Sequence, residues 1–548
     1  MKKIILSAAF ALITFCASAA FGDIFSEMYL NYLVMDDDAS TDYPKVWVIG
    51  PSSAGSTQPN LSLSIPTAVT HDGVTYRVTQ IDAKAFSGKT NIVQASIGYG
   101  ITHIGNEAFK GCSKLVYVRI PSSIQSIGDN AFASCSALKE VNIANDDPST
   151  FTTSASAFPS NSDMTLGVAK TNDLRTVTAF NNLSQYSKFA TIELSSAAYD
   201  FTTDDSFAMC VTKAPSKNVP GEVKLVGVFG NSTGAFAPKA TYTHSVYSYK
   251  LVATGFRSCK DQTQIKSFDF SNATNLKTID CYTFSGCTNL TSVNLGSTVG
   301  HIELYAFENV PISSITIPKS VSYIGYLAFN KCPNLSAISV DSNNPFYKSS
   351  YGVLYMYLKG DKWDLVCCPA AFPYTAFYEY MFPSQVTVID CNAFAFCTNL
   401  KTIHIPYGVQ KLKDYLFNAA LQEVKIPGSV SEFDADAFGN ASGLQRIFIN
   451  ITTPPTITIF PATPANLYVP YGFVSNYKSA AFWKNCVNIQ DGSYDVPEAC
   501  TETVSGTLLN DVRSAHADVR AYDAGVRVAV SPLGAVAVRA HDTFSGGE

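Results

Sequence analysis

The dipeptide Ala-Phe ends at Phe86, Phe109 and Phe132, and three more columns keep the same 23-residue step: Ile81, Ile104, Ile127; Ile92, Leu115, Leu138; Ile97, Ile120, Ile143. A unit this small cannot bury its own apolar face, so the copies must stack and cover one another. The unit reads I-G-x-x-A-F-x-x-C-x-x-L-x-x-V-x-I-P-x-S-I over residues 104–124, and it returns at Phe284, Phe307, Phe329, Phe394, Phe417 and Phe438. Within it, Val141 and Ile143 alternate with polar residues as in a half-buried strand. Pro121, Pro318, Pro406 and Pro427 then end that strand, since proline cannot donate to a ladder. The expected fold is mostly β: a solenoid of about 23-residue units, with parallel strands on one face and short turns or helical turns on the other. The repeat Phe is expected to be core.

With its proline directly after the strand, this unit resembles the bacterial BspA-like leucine-rich repeat and departs from the common leucine-rich consensus. The stretch Asn344-Pro345-Phe346-Tyr347-Lys348-Ser349, then Gly352-Val353-Leu354-Tyr355 and Leu365-Val366-Cys367-Cys368-Pro369, is similar to the irregular repeat that such proteins carry between regular ones. The resemblance implies a secreted or surface protein that adheres to host matrix proteins and to other cells.

Outside the regular repeats, the sequence suggests a duplication. Lys45-Val46-Trp47-Val48-Ile49-Gly50 before Tyr76 pairs with Glu222-Val223-Lys224-Leu225-Val226-Gly227 before Tyr249. Asn466-Leu467-Tyr468-Val469-Pro470, with Tyr477, Trp483 and Ile489, resembles a closing segment, and Thr165-Leu166-Gly167-Val168, with Tyr186, Phe189 and Ile192, is a degraded copy of it. Two tandem blocks with strand-rich caps are therefore expected, at 23–195 and 196–495, followed by a tail at 496–548. In the tail, Asp518–Tyr522 and Gly525–Val530 alternate like two short strands and faintly resemble a surface-sorting module, so a small β unit or a partly ordered extension is expected.

Lys2 and Lys3 before the apolar run Ile4–Cys16 and Ala17-Ser18-Ala19 read as a secretory signal peptide at 1–19, with Gly22 as the alternative cleavage point. The run is too short to span a bilayer about 30 Å thick as a helix. Phe15 stands where lipidation of Cys16 requires a small residue. The chain is thus expected outside the cell or on a bacterial cell surface, with no transmembrane span. A net charge of -6 argues against nucleic acid.

Cys112, Cys135, Cys259, Cys287, Cys332 and Cys397 fall three residues after the aligned Phe and are read as one column of buried, apolar thiols. Neighbours about 4.8 Å apart are within disulfide reach, but stacked side chains point in parallel. Secretion favours some disulfides in principle. No CxxC pair, spaced His, HExxH, GxSxG or P-loop is present. The clusters Asp36-Asp37-Asp38, Asp146-Asp147 and Asp204-Asp205 lack the spacing of a calcium loop. No enzyme activity, cofactor or metal is expected.

What remains is the strand surface, where the residue between Val and Ile points outward. Its middle is small and hydroxylated, with Ser292 and Ser314, while Tyr117 with Arg119 lie at one end and His404, Lys425, Arg446 and Phe448 at the other. Aromatic and Arg side chains are the usual anchors of interfaces. These six residues are the candidate binding site of a monomer that engages surface or matrix proteins. A glycan-capture protein of the envelope is the alternative, and a hydrolase with its site in the caps is the third reading.

Overall fold

The computed structural model describes residues 21–36, 43–161, 163–170, 175–204, 206–230, 233–458 and 466–492, together with the strands Val526–Val530 and Val536–Ala540. The expected signal peptide at 1–19 and the segment 518–522 lie outside the described residues. Of the described residues, one compact unit holds those up to Leu335 and Ser339–Phe346; the other holds Ser336–Ile338 and those from Tyr347 onward.

The chain is a parallel-strand solenoid, as the repeat requires. In the first unit, Leu61–Ile65, Ile92–Ile97, Tyr117–Ile120, Glu140–Ile143, Thr165–Ala169 and Thr191–Ser195 pair in parallel as one wall. A facing wall runs from Val74–Ile81 through His103–Ile104 and Ser126–Ile127 to Thr152–Thr153. Between the walls lies the Phe column: Phe86, Phe109, Phe132 and Phe158 stack at 4.9, 5.2 and 5.4 Å, within 13° of parallel. All four are buried.

The turn before each Phe carries a backbone signature. Lys84, Glu107, Asn130, Tyr282, Tyr305, Leu327, Asn392 and Tyr415, each two residues before its Phe, have φ between 52° and 60°. Non-glycine residues seldom adopt this left-handed conformation. A ladder between repeats supports it, as the Glu107 amide donates to the Asp129 carbonyl at 2.8 Å and the Phe109 amide to the Ala131 carbonyl at 2.7 Å.

Each array opens with antiparallel strands that hand over to parallel ones. Ile24–Glu27, Leu30–Asp36 and Lys45–Pro51 lead into Val74–Ile81. Phe201–Thr202, Phe207–Lys213 and Gly221–Val228 lead into Tyr247–Thr254. The two openings share side-chain geometry as well. Phe25 stacks on His71 at 4.3 Å and tilts 44° against Tyr76, while Phe201 stacks on His244 at 4.4 Å and tilts 44° against Tyr249.

The stretch read as an irregular repeat is a third opening of this kind. Tyr347–Ser350, Val353–Tyr357 and Trp363–Cys367 are antiparallel, and Trp363–Cys367 then pairs in parallel with Val386–Ile389 in the second unit. The closing segments also correspond in order. Thr165–Ala169 is followed by a helix at Arg175–Asn181, a 3-10 turn at Ser184–Tyr186 and the strand Thr191–Ser195. Asn466–Val469 is followed by Val474–Ser479, Trp483–Asn485 and Ile489–Asp491. In the tail, Val526–Val530 pairs antiparallel with Val536–Ala540.

The thiol column needs one correction. Cys112, Cys135, Cys287, Cys332 and Cys397 donate to the carbonyls of Phe86, Phe109, Cys259, Phe307 and Cys368. Cys259 therefore occupies the position of the repeat Phe, as Cys368 does, and not that of the donating thiol. The count from Phe256 starts three residues early, because Tyr249 to Cys259 is the same step of 10 residues as Tyr76 to Phe86. All six aligned cysteines are free thiols.

Candidate binding surface

In the second unit, six parallel strands form one face: Ala376–Phe377, Thr402–His404, Glu423–Ile426, Arg446–Ile449, Asn466–Val469 and Ile489–Asp491. Leu, Val and Ile on their inner sides are buried, so the alternate residues face out. Register aligns His404, Lys425, Phe448, Tyr468 and Gln490 in one outward row, and Thr402, Glu423, Arg446 and Asn466 in the next. Four of the six candidate residues, His404, Lys425, Arg446 and Phe448, are thus brought together.

Their contacts form a connected network. Phe448 stacks on Tyr468 at 4.4 Å, and Lys425 Nζ lies 5.5 Å from the Phe448 centroid. Arg446 Nε donates to Glu423 Oε2 at 2.7 Å, and His404 Nε2 is 3.0 Å from Glu423 Oε1. His404 Nδ1 lies 3.6 Å from Glu379 Oε2, and its ring meets Tyr378 edge-on at 5.0 Å. Partial burial pushes the Glu423 carboxyl up, but hydrogen bonds to His404 and Arg446 outweigh it and hold the pKa below its ordinary value. Burial likewise pushes the Glu379 carboxyl up, but His404 outweighs it and the pKa is lowered. The charges on this face are mutually engaged, and its rings stand in line.

Tyr117 and Arg119 lie in the first unit, in rows with Gln94 and Glu140, and with Ser96 and Asn142. The Arg119 guanidinium sits 4.1 Å from the Tyr199 ring centroid, so the chain leaving the last strand of this wall covers it. Asn142 is also fully buried although it points away from the core. Gly167 makes room beside it, since a Cβ there would meet both the Asn142 side chain and Ser195.

Tyr378, Glu379, Tyr380 and Tyr468 belong to the face and escaped the sequence reading. Tyr468 was within reach, because Leu467 and Val469 alternate around it as in every repeat strand. Tyr378–Tyr380 sit where the repeat columns fail, and nothing in the period marks them. Among the described residues, no helix is long and apolar enough to cross a membrane, and no group of three or more His, Cys, Asp or Glu is placed to hold a metal ion.

A strand-walled, Phe-cored stack of such units is a leucine-rich repeat scaffold. The family model described as the BspA type leucine rich repeat region matches residues 73–186, 255–351 and 368–461, more than half of the sequence, and the chain belongs to that family. Among solved structures it is similar to a leucine rich cell surface protein from Faecalibacterium prausnitzii, with 18% identity, 89% of this chain and 97% of that one covered, and a TM-score of 0.34. It is similar also to the pneumococcal vaccine antigen PcpA (14% identity, 87% and 100% covered, TM-score 0.34) and to a leucine-rich repeat protein from Bacteroides ovatus (19%, 77% and 94%, 0.31). No curated protein matches the sequence.

Proposed function

We propose that this chain is a secreted or cell-surface, non-enzymatic binding protein, adhesin-like, that engages a protein ligand through the strand face of its second unit. The supporting observation is the row His404, Lys425, Phe448 and Tyr468 beside Glu423 and Arg446, which sets aromatic anchors among charges on regular strands. In this reading the protein is a monomer built from a signal peptide at 1–19, arrays at 23–195 and 196–495, and a tail at 496–548. Its partners are surface or matrix proteins.

Glycan capture is the second reading, favoured by Tyr378 and Tyr380, which stack at 5.8 Å with Tyr380 71% exposed. Sugars pack on the faces of aromatic rings. Both faces of Phe448 are occupied, one by Tyr468 and the other by Lys425, which leaves its edge for a ligand. The row therefore suits protein side chains better than sugars. Arrays of matrix proteins and glycans probed side by side with the purified mature chain test the proposal. Binding to proteins is expected; binding to glycans alone would transfer the site to Tyr378 and Tyr380.

A further inference from the structure

Among the described residues of the second unit, Asp364 is a buried carboxyl that the binding surface does not use. It lies on Trp363–Cys367, 3% exposed, and its Oδ1 is buried without a hydrogen-bond partner. The Lys413 ammonium lies 3.5 Å from Asp364 Oδ2 and 2.7 Å from Asp390 Oδ1. Three successive parallel strands deliver these groups, since Asp364 pairs with Val388 and Val388 with Lys411, with Asp390 and Lys413 two residues further on. A carboxyl, an amine and a second carboxylate thus meet at one point on the wall.

We infer that Lys413 and Asp364 condense to an amide cross-link, with Asp390 as the proton acceptor. Lys413 passes one proton to the Asp390 carboxylate, and the freed amine attacks Cγ of the neutral Asp364 carboxyl. The Cγ–N bond forms, the Cγ–O bond breaks, and the hydroxyl leaves with the second nitrogen proton as water. The products are the amide, one water and protonated Asp390, which releases its proton to solvent. Atoms and charge balance without any oxidant or co-reactant.

Burial first, and then Asp390, push the Asp364 pKa up to about 7, so the neutral, electrophilic form is populated near neutrality. The two carboxylates raise the Lys413 pKa against its burial, so the ammonium is its resting state. Proton transfer along the 2.7 Å contact to Asp390 is therefore the step that generates the nucleophile. A slow reaction suffices, because the bond need form only once in the life of the chain.

The first unit supplies an internal control. Lys224 pairs with Ala253 and Ala253 with Thr278, and Asp280 follows two residues later, so Lys224 and Asp280 hold the positions of Asp364 and Lys413 with the charges exchanged. They lie 3.6 Å apart, but the place of Asp390 is taken by Gly255. Glycine offers no carboxylate at that place, so this pair is expected to remain an ion pair.

Intact mass spectrometry of the full purified chain, followed by peptide mapping after denaturation, tests the inference. A mass short by one water, mapped to a branched peptide joining Asp364 and Lys413, is expected. Lys413→Arg should restore full mass, as should Asp390→Asn if the variant folds. Full mass in the wild-type chain, or a water loss mapped elsewhere, would overturn the cross-link and needs no variant to interpret. A branched peptide retained in Asp390→Asn would overturn the role given to Asp390.

Discussion

At the scale of the residue, the Phe column and the outward row make different demands. Phe132 is fully buried between Phe109 and Phe158, with both rings within 6° of parallel to it. Phe132→Ala removes a large apolar side chain and leaves a cavity that stacked neighbours cannot close, so a loss of about 3–5 kcal/mol is expected in denaturant unfolding. On the outward row, Arg446→Ala frees Glu423 from its 2.7 Å partner, and Phe448→Ala removes the ring between Tyr468 and Lys425. Each should weaken ligand binding by roughly 1 kcal/mol or more in a titration, whereas Ser292→Ala and Ser314→Ala should leave it unchanged. Unaltered affinity in the first two variants, with the fold intact, would move the site.

At the scale of the element, the second opening is tied to the first array by one buried carboxylate. Asp200 accepts from the Ser122 amide, the Ser122 hydroxyl and the Val211 amide, each at 2.7 Å. Burial is the largest influence and lifts its pKa from 3.8 to about 6, although these donors and Arg119 pull the other way. The native state then binds the proton more tightly than the unfolded chain, so the contribution of Asp200 to stability falls as pH rises from 3.8 to 6 and is flat above. Thermal unfolding of the wild type and Asp200→Asn across that range should show a pH slope in the first that is reduced in the second. Equal slopes would mean that the carboxylate is not protonated on folding.

Elements also show where the sequence was legible. Regular repeats announce themselves, because stacking forces Ile, Phe, Leu and Val into fixed columns, and the strand face follows from alternation alone. His404, Lys425, Arg446 and Phe448 could therefore be placed side by side from spacing. The third opening was hidden because its hairpins, Tyr347–Ser350 and Val353–Tyr357 among them, replace the period with antiparallel pairing. Cys259 was misplaced by the same kind of break. The covering of Arg119 by Tyr199 depends on the path of a connecting segment, which no periodic pattern encodes.

At the scale of the whole molecule, contacts run mainly between neighbouring repeats, so damage should spread little. Phe132→Ala should lower hydrogen-exchange protection around Phe109 and Phe158 and leave the repeats of Phe394 and Phe417 unchanged. Uniform loss along the chain would contradict an array held by nearest neighbours.

The sealed thiols carry a different consequence, which concerns the route to the native state. In the folded chain most of them are buried, and Cys112, Cys135, Cys287, Cys332 and Cys397 are occupied with carbonyls of the preceding repeat. An unfolded copy in an oxidising medium presents the same thiols to one another, and random pairing would lock it out of the stack. Order of folding then becomes chemical protection: each repeat that docks removes its sulfur from the reactive pool. Refolding from denaturant should be efficient with reductant and poor in air, a contrast that measured recovery of soluble protein would reveal.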